Sequence, residues 1–105
     1  MSNPFSGEVD LELDGQTYAL KFDWQTAADI EARFNDRSIE ELFSGAAISR
    51  RVLIESVRAG MNRCLPRSRA KTSTSIAKLI SEAVEKDGTA AFIRIMKVVM
   101  GGVAA

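Results

Sequence analysis

The sequence predicts an α+β fold in which an N-terminal two-stranded β-hairpin packs against a bundle of four or five α-helices. Apolar residues alternate on both sides of Asp14-Gly15, which is the pattern of a half-buried hairpin. The rest of the chain shows helical spacing interrupted by capping residues. A length of 105 residues and a hydrophobic content of 46% are those of one folded domain, residues 1–105.

The hairpin is predicted over residues 7–22, with Asp14-Gly15 as its two-residue turn because both residues readily adopt positive φ. This turn places Leu13 opposite Gln16 and Glu8 opposite Lys21. One face then carries Val9, Leu11, Leu13, Tyr18, Leu20 and Phe22. Since a shift of one residue would mix polar and apolar side chains on both faces, the pattern specifies the register.

Capping residues divide the segment 24–64 into helices. Asp23 is predicted to begin a helix over 24–35, Ser38 a short helix that stops near Gly45, and Ser49 a helix that ends near Arg63. The third helix has a narrow apolar face of Leu53, Ile54, Val57, Met61 and Cys64. Its predicted solvent face carries Arg50, Arg51, Glu55, Arg58 and Asn62. The expected core also includes Leu20, Phe22, Trp24 and Phe34.

Residues 66–73 are predicted to be an exposed connector, since they follow Pro66 and lack apolar periodicity. Two C-terminal helices occupy 74–100. The first covers 74–86, is capped by a residue between Thr72 and Thr74, and stops at Gly88. The second covers 89–100 and stops at Gly101-Gly102.

The last predicted helix has more apolar surface than one core contact needs. Its apolar residues spread over roughly 220° of the circumference, whereas a core face takes about 100°. Two interpretations stay open: a central core helix, or a helix that binds a partner. In the second, the partner-binding residues are Phe92, Ile93, Met96, Val99 and Met100.

Charge is unevenly distributed along a chain of zero net charge. Residues 7–41 carry a net charge of −7, and residues 50–97 carry +7. These charges either pair within the fold, which we favour, or attract further copies or an acidic partner. A basic patch is formed by Arg58, Arg63, Arg67, Arg69 and Lys71. No aromatic residue lies between Phe43 and Phe92, so a solvated connector is favoured over nucleic-acid binding.

The sequence argues against an enzyme. It contains no His, and Cys64 therefore lacks the partner that a zinc site or a thiol nucleophile requires. No glycine-rich phosphate-binding loop is present. We expect no catalytic site, metal or cofactor. A membrane span is not expected either, because Arg94 and Lys97 interrupt the most apolar segment. The lone cysteine and the absence of a signal-like start predict a cytoplasmic protein.

Residues 3–45 also carry a family-like arrangement: Asn3, Gly7-Glu8-Val9, the Asp14-Gly15 turn, Tyr18 and Leu20, then Ala27-Ala28, Ile30-Glu31, Phe34 and the segment SIEELF. This arrangement resembles the opening of a small-protein family of gene transfer agents and siphophage tails, described as tail-tube or tail-assembly-chaperone-like. The resemblance implies a tail assembly chaperone-like factor in the bacterial host cytoplasm, with a tape-measure or tail-tube protein as its partner. Two alternatives are a self-associating structural tail subunit in the particle and a small nucleic-acid-binding adaptor.

Overall fold

The computed structural model describes residues 8–44 and 48–104. The α+β class is confirmed, with one N-terminal hairpin and five α-helices in the described ranges. The elements are β1 (Glu8–Leu13), β2 (Gln16–Lys21), α1 (Trp24–Ala32), α2 (Ile39–Leu42), α3 (Arg50–Asn62), a 3-10 turn (Arg67–Arg69), α4 (Ser73–Asp87) and α5 (Thr89–Ala104). The predicted stop at Gly45, and Asn3 and Gly7 of the family resemblance, lie outside the described residues.

The register of the hairpin is confirmed. Leu13 pairs with Gln16 and Glu8 with Lys21, as the alternation of apolar residues predicts. Asp14 and Gly15 adopt φ of 51° and 81°, the positive values that a tight hairpin turn requires. The buried side chains of the apolar face are Leu11, Leu13, Leu20 and Phe22.

The apolar face of the hairpin is covered by helices of the same chain. β1 packs against α5 and β2 against α3, while α3, α4 and α5 contact one another. The Phe22 ring lies between two glycines: a Cβ built at Gly60 of α3 would lie 3.1 Å from Phe22 Cζ, and one at Gly102 of α5 would lie 2.7 Å from Phe22 Cε2. Both helices therefore approach the ring at positions without a side chain.

The predicted end of α5 at Gly101-Gly102 is wrong, because the helix continues to Ala104. A glycine pair stops a helix when the chain turns away there, whereas Gly102 here lets the helix pack on Phe22. α1 ends earlier than predicted, at Ala32, since Asn35 and Asp36 adopt positive φ of 56° and 61°. These residue types tolerate that conformation and thereby end a helix.

The predicted helix starts are confirmed by their caps. The side chains of Asp23, Ser38, Ser49 and Thr72 each accept a hydrogen bond from the backbone N–H three residues further on. Gly88, at φ 61°, lies at the C-terminal end of α4. Propensity and capping therefore agree with the fold at four of its five α-helices.

The connector is exposed over residues 66–70, as expected, but its end is tied to α3. The Asn62 side chain donates to the Lys71 carbonyl at 3.0 Å and accepts from the Lys71 N–H at 2.7 Å. The Ser73 hydroxyl donates to Glu55 Oε2 at 2.6 Å. Two polar side chains of α3 thus position the start of α4.

Glu55 and Arg58 do not face solvent, which corrects the prediction for α3: each is 4% exposed. Arg58 Nε donates to Glu55 Oε1 at 2.6 Å, and Arg58 Nη2 donates to Asp29 Oδ1 at 2.8 Å. Burial opposes both charges, but the bonds from Ser73 and Arg58 outweigh it and lower the pKa of Glu55, while those to Asp29 and Glu55 raise the pKa of Arg58. Periodicity missed this burial because α1 and Ser73 cover a polar face of α3.

The two glycines of α5 predict opposite effects of the same substitution. Gly102→Ala places a methyl group against the Phe22 ring and is expected to lower the free energy of unfolding by about 1–3 kcal/mol. Gly101→Ala meets no atom within 4 Å and is expected to raise it by about 0.5–1 kcal/mol through helix propensity. Urea unfolding followed by circular dichroism measures both. Equal effects of the two substitutions would contradict the packing of α5 on Phe22.

Removal of the Arg58 charge is expected to be strongly destabilising. Arg58→Met leaves the buried Glu55 carboxylate without its cation and should lower the free energy of unfolding by about 3 kcal/mol. The control Arg37→Met breaks an exposed pair with Glu41 and should change it by less than about 0.5 kcal/mol. The double variant Glu55→Gln/Arg58→Met should recover part of the loss. Similar results for Arg58→Met and Arg37→Met would refute the buried pair.

Candidate functional site

A groove of about 560 Å³ lies where α3, α4 and α5 meet, and we call it the apolar groove. Its main apolar lining consists of Leu53, Ile54, Ile80, Val84, Phe92 and Ile95. Arg50, Ser81 and Thr89 supply the polar atoms at its rim. The volume and the mostly apolar lining are those of a binding cleft.

An apolar strip on α5 continues from this groove, and we call it the α5 strip: Ile93, Met96 and Met100. Ile93 is 47% exposed and Met100 36%, whereas Met96 is half-buried. Ile95 faces the core. At 100° per residue, Phe92 is the next of these side chains around the helix on one side, followed by Met96, then Met100 and then Ile93. The apolar groove and the α5 strip thus form one surface shared by three helices.

The structure separates the five predicted partner-binding residues. Phe92 lines the apolar groove, and Ile93, Met96 and Met100 form the α5 strip. Val99 is fully buried in the core of the chain itself and is not available to a partner, which corrects its assignment. It lies four residues after Ile95, on the helix line that faces the hairpin and α3. The predicted surplus beyond the core face of α5 therefore consists of Phe92 and the α5 strip.

The five residues of the predicted basic patch do not form one free surface. Arg58 is buried against Glu55 and Asp29, and Arg63 Nε donates to Asp23 Oδ2 at 3.1 Å. Only Arg67 and Arg69 are exposed on the connector, while Lys71 is half-buried. The predicted patch is therefore wrong, because two of its five cations are already paired. Arg58 pairs with Asp29 of α1, and Arg63 pairs with Asp23, the residue that precedes α1.

Trp24 is 82% exposed, so its assignment to the core is wrong. The buried side of α1 carries Thr26 and Ile30, four residues apart. Trp24 lies two residues before Thr26, about 200° away around the helix, and thus points to the opposite side. Phe34, also expected in the core, is half-buried beneath the Arg51 guanidinium at 5.6 Å from the ring centroid.

The apolar groove is not evident in the sequence. Ile54, Ile80 and Val84 fit the core-facing stripes of their helices, and the structure leaves all three half-buried. No local signal separates a residue that closes the core from one that lines a cleft beside it, because the difference depends on how closely three helices approach. The feature of the sequence that indicates a binding surface is the surplus of apolar residues on α5.

The charged segments are joined by three internal ion pairs. They are Asp14–Lys86, Asp23–Arg63 and Asp29–Arg58, each between the acidic segment and the basic segment. The intramolecular interpretation therefore holds in part, and four of the seven excess charges on each side are not offset by these pairs.

The Cys64 thiol has a raised pKa, the opposite of the lowered pKa that activates a thiol nucleophile. Burial, followed by the Glu8 carboxylate, raises this pKa. Residues 8–44 and 48–104 contain no cluster of three or more side chains suited to hold a metal. In the same ranges no helix has the length and apolar character needed to cross a membrane.

Comparison of the chain with protein-family models, with curated proteins and with solved structures gives no match. The resemblance of residues 3–45 to a tail protein family therefore stays a prediction, and the structural features that bear on function are the apolar groove and the α5 strip.

The Asp23–Arg63 pair predicts a pH dependence of stability. The hydrogen bond from Arg63 holds the pKa of Asp23 well below its usual value of 3.8, so the pair stabilises the fold above that pH and is lost as pH falls through the lower pKa of the folded state. Asp23→Asn keeps a capping residue and removes the charge, and should cost about 0.5–1 kcal/mol at pH 7. Thermal unfolding at a series of pH values should show that the stability difference between Asp23→Asn and wild type becomes smaller below pH 4.

The control for this measurement is Asp10→Asn, on the exposed face of β1. It should leave the stability difference small at every pH. If the stability difference between Asp23→Asn and wild type were the same at neutral and acidic pH, the charged Asp23–Arg63 pair would be contradicted.

Proposed function

We propose that this chain is a non-enzymatic tail morphogenesis protein of a phage, prophage or gene transfer agent, and that it acts as a tail assembly chaperone-like factor. It lends the apolar groove and the α5 strip to an apolar helix of another tail protein. The observation that carries the proposal is the continuity of these two surfaces along α5, from half-buried Phe92 to exposed Met100. Such a surface is of the kind that receives a helix in a groove.

The lining chemistry favours a helix over a small polar ligand. The walls of the apolar groove are aliphatic and aromatic side chains of three helices, which match side chains spaced three and four residues apart on a bound helix. Met96 and Met100 adapt their shape to different contacts, which suits transient binding. Arg50 at the rim complements an acidic residue at one end of the bound helix.

A tape-measure protein is the partner that the family resemblance implies, and its long apolar helices need a cover before tail assembly. A factor with this role binds during assembly and then leaves. Mass spectrometry should therefore not detect this chain in purified particles. Its presence in stoichiometric amounts would favour the structural tail subunit instead.

Variants of the apolar groove should lose the holding activity. With the tape-measure protein of the same tail gene cluster co-expressed, wild type should keep that protein in the soluble fraction. Ile80→Asp introduces a charge into the groove, and Ser81→Trp fills the groove from an exposed rim position. Both should reduce the soluble tape-measure protein at least about tenfold, since each removes a central contact.

Two controls match these substitutions. Ala70→Asp adds the same charge on the exposed connector, and Glu82→Trp adds the same ring on α4 outside the groove. Both should behave like wild type, and circular dichroism verifies that every variant is folded. The proposal fails if the groove variants hold the tape-measure protein as well as the controls do.

A further inference from the structure

The residues that α5 presents outside the core have the spacing of a helix–helix seam. The members of this seam, at intervals of four, three and four residues, are Thr89, Ile93, Met96 and Met100. This alternation keeps side chains on one line when two helices pack at a small crossing angle. Thr89 also lines the apolar groove, so the seam begins there and continues along the α5 strip. The seam extends about 17 Å, which is about three turns of a bound helix.

One border of the seam carries a positive charge. Lys97 lies four residues after Ile93 and three before Met100, so it is a neighbour of both on the helix surface. It is exposed and forms no ion pair with a described residue. α5 contains no acidic residue, and its other cation, Arg94, is paired with Asp87. The charge of Lys97 is therefore available to a bound helix.

The apolar groove has a second positive charge where α3 begins. Arg50, the first residue of α3, lines the groove and is exposed. The first turn of α3 contains no acidic residue, and Arg50 forms no ion pair within the part of the chain that the structure describes. On α4, exposed Lys78 and Glu85 are neighbours of the groove residue Ser81 and supply one charge of each sign. The charges that border the groove and the α5 strip are thus positive in sum.

These charges make the α5 helix of a second copy a poor occupant of the seam. Two α5 helices packed antiparallel would bring Lys97 of each copy together, and two packed parallel would leave each Lys97 without a carboxylate. Like charges at the border of a seam select against pairing. A helix with Glu or Asp along its border instead gains attraction at Lys97 and Arg50. Charge therefore distinguishes two occupants that the apolar residues alone would both accept.

We propose that the apolar groove and the α5 strip select an acidic amphipathic helix. Its apolar residues recur at intervals of three and four residues, and the Glu or Asp side chains on its flanks face Lys97 and Arg50. The bound helix is thus defined by its charge as well as by its apolar spacing. That this helix belongs to another tail protein rests on the proposed function, whereas the selection of acidic flanks does not.

Two synthetic peptides of about three heptads test the charge selection. Both carry Leu at the seam positions, and the flanking positions are Glu in the acidic peptide and Lys in the basic peptide. Like charges on the flanks keep each peptide from pairing with itself. In fluorescence anisotropy at low salt, wild type should bind the acidic peptide about tenfold more tightly than the basic one. The preference should decrease at an ionic strength of about 0.5 M, because salt screens exposed charges.

Charge reversal on the protein identifies the residues responsible. Arg50→Glu/Lys97→Glu should invert the preference between the two peptides, since it reverses both cations and leaves the apolar lining unchanged. The control Arg67→Glu/Arg69→Glu makes the same change of charge on the exposed connector and should keep the wild-type preference. Circular dichroism verifies that both double variants are folded.

Several outcomes would overturn the inference. Equal binding of the two peptides by wild type would do so, as would tighter binding of the basic peptide or binding of neither. An unchanged preference in Arg50→Glu/Lys97→Glu would show that other charges are responsible. Association of wild type in sedimentation velocity that Met100→Asp abolishes would identify a second copy as the occupant instead.

The tape-measure assay separates this inference from the proposed function. A preference for the acidic peptide without retention of soluble tape-measure protein would refute the proposed function and retain the selection of acidic helices. Retention of soluble tape-measure protein by a chain that binds both peptides equally would refute the selection and retain the proposed function.

Discussion

The packing of the Phe22 ring between α3 and α5 is the constraint on which the rest of the structure depends. A two-stranded ribbon is not stable alone, and its apolar face must be covered. Gly60 and Gly102 allow two helices to approach the same ring. This contact commits one line of α5, which includes Ile95 and Val99, to the core. Side chains further round that helix are consequently left for the apolar groove and the α5 strip.

Electrostatics determines where α1 lies. Two ion pairs, Asp23–Arg63 and Asp29–Arg58, join it to α3 in opposite chain order along the two helices, and of these residues Arg58 is buried with Glu55. A buried cation gains little net stability from its partners but is costly to leave unpaired, so Arg58 favours the arrangement of α1 that brings Asp29 to it. That arrangement turns Trp24 outward at one end of α3, whereas the apolar groove, formed by α3, α4 and α5, lies at the other. The outward position of Trp24 thus follows from how α1 is joined to α3.

The elements were predictable because their signals are local. The alternation around Asp14-Gly15 determines the hairpin register, and a capping side chain begins each of α1 to α4. Predictions failed where a distant partner decides. The helical pattern predicts that Glu55 and Arg58 face solvent, but α1 covers them. The pair Gly101-Gly102 predicts a helix end, but Gly102 packs on Phe22 and the helix continues. Trp24 looks like core until the orientation of α1 is known.

By itself, the sequence determined the α+β class, the register of the ribbon, the starts of four helices, and the surplus of apolar residues on α5. These follow from hydrogen bonds and periodicities that span only a few residues. The tertiary structure alone decided which apolar residues line the apolar groove and which cations are already paired. It also decided that exposed Trp24 and the apolar groove lie at opposite ends of α3. Those properties depend on distances between helices, and such distances are set by packing and ion pairs between residues remote along the chain.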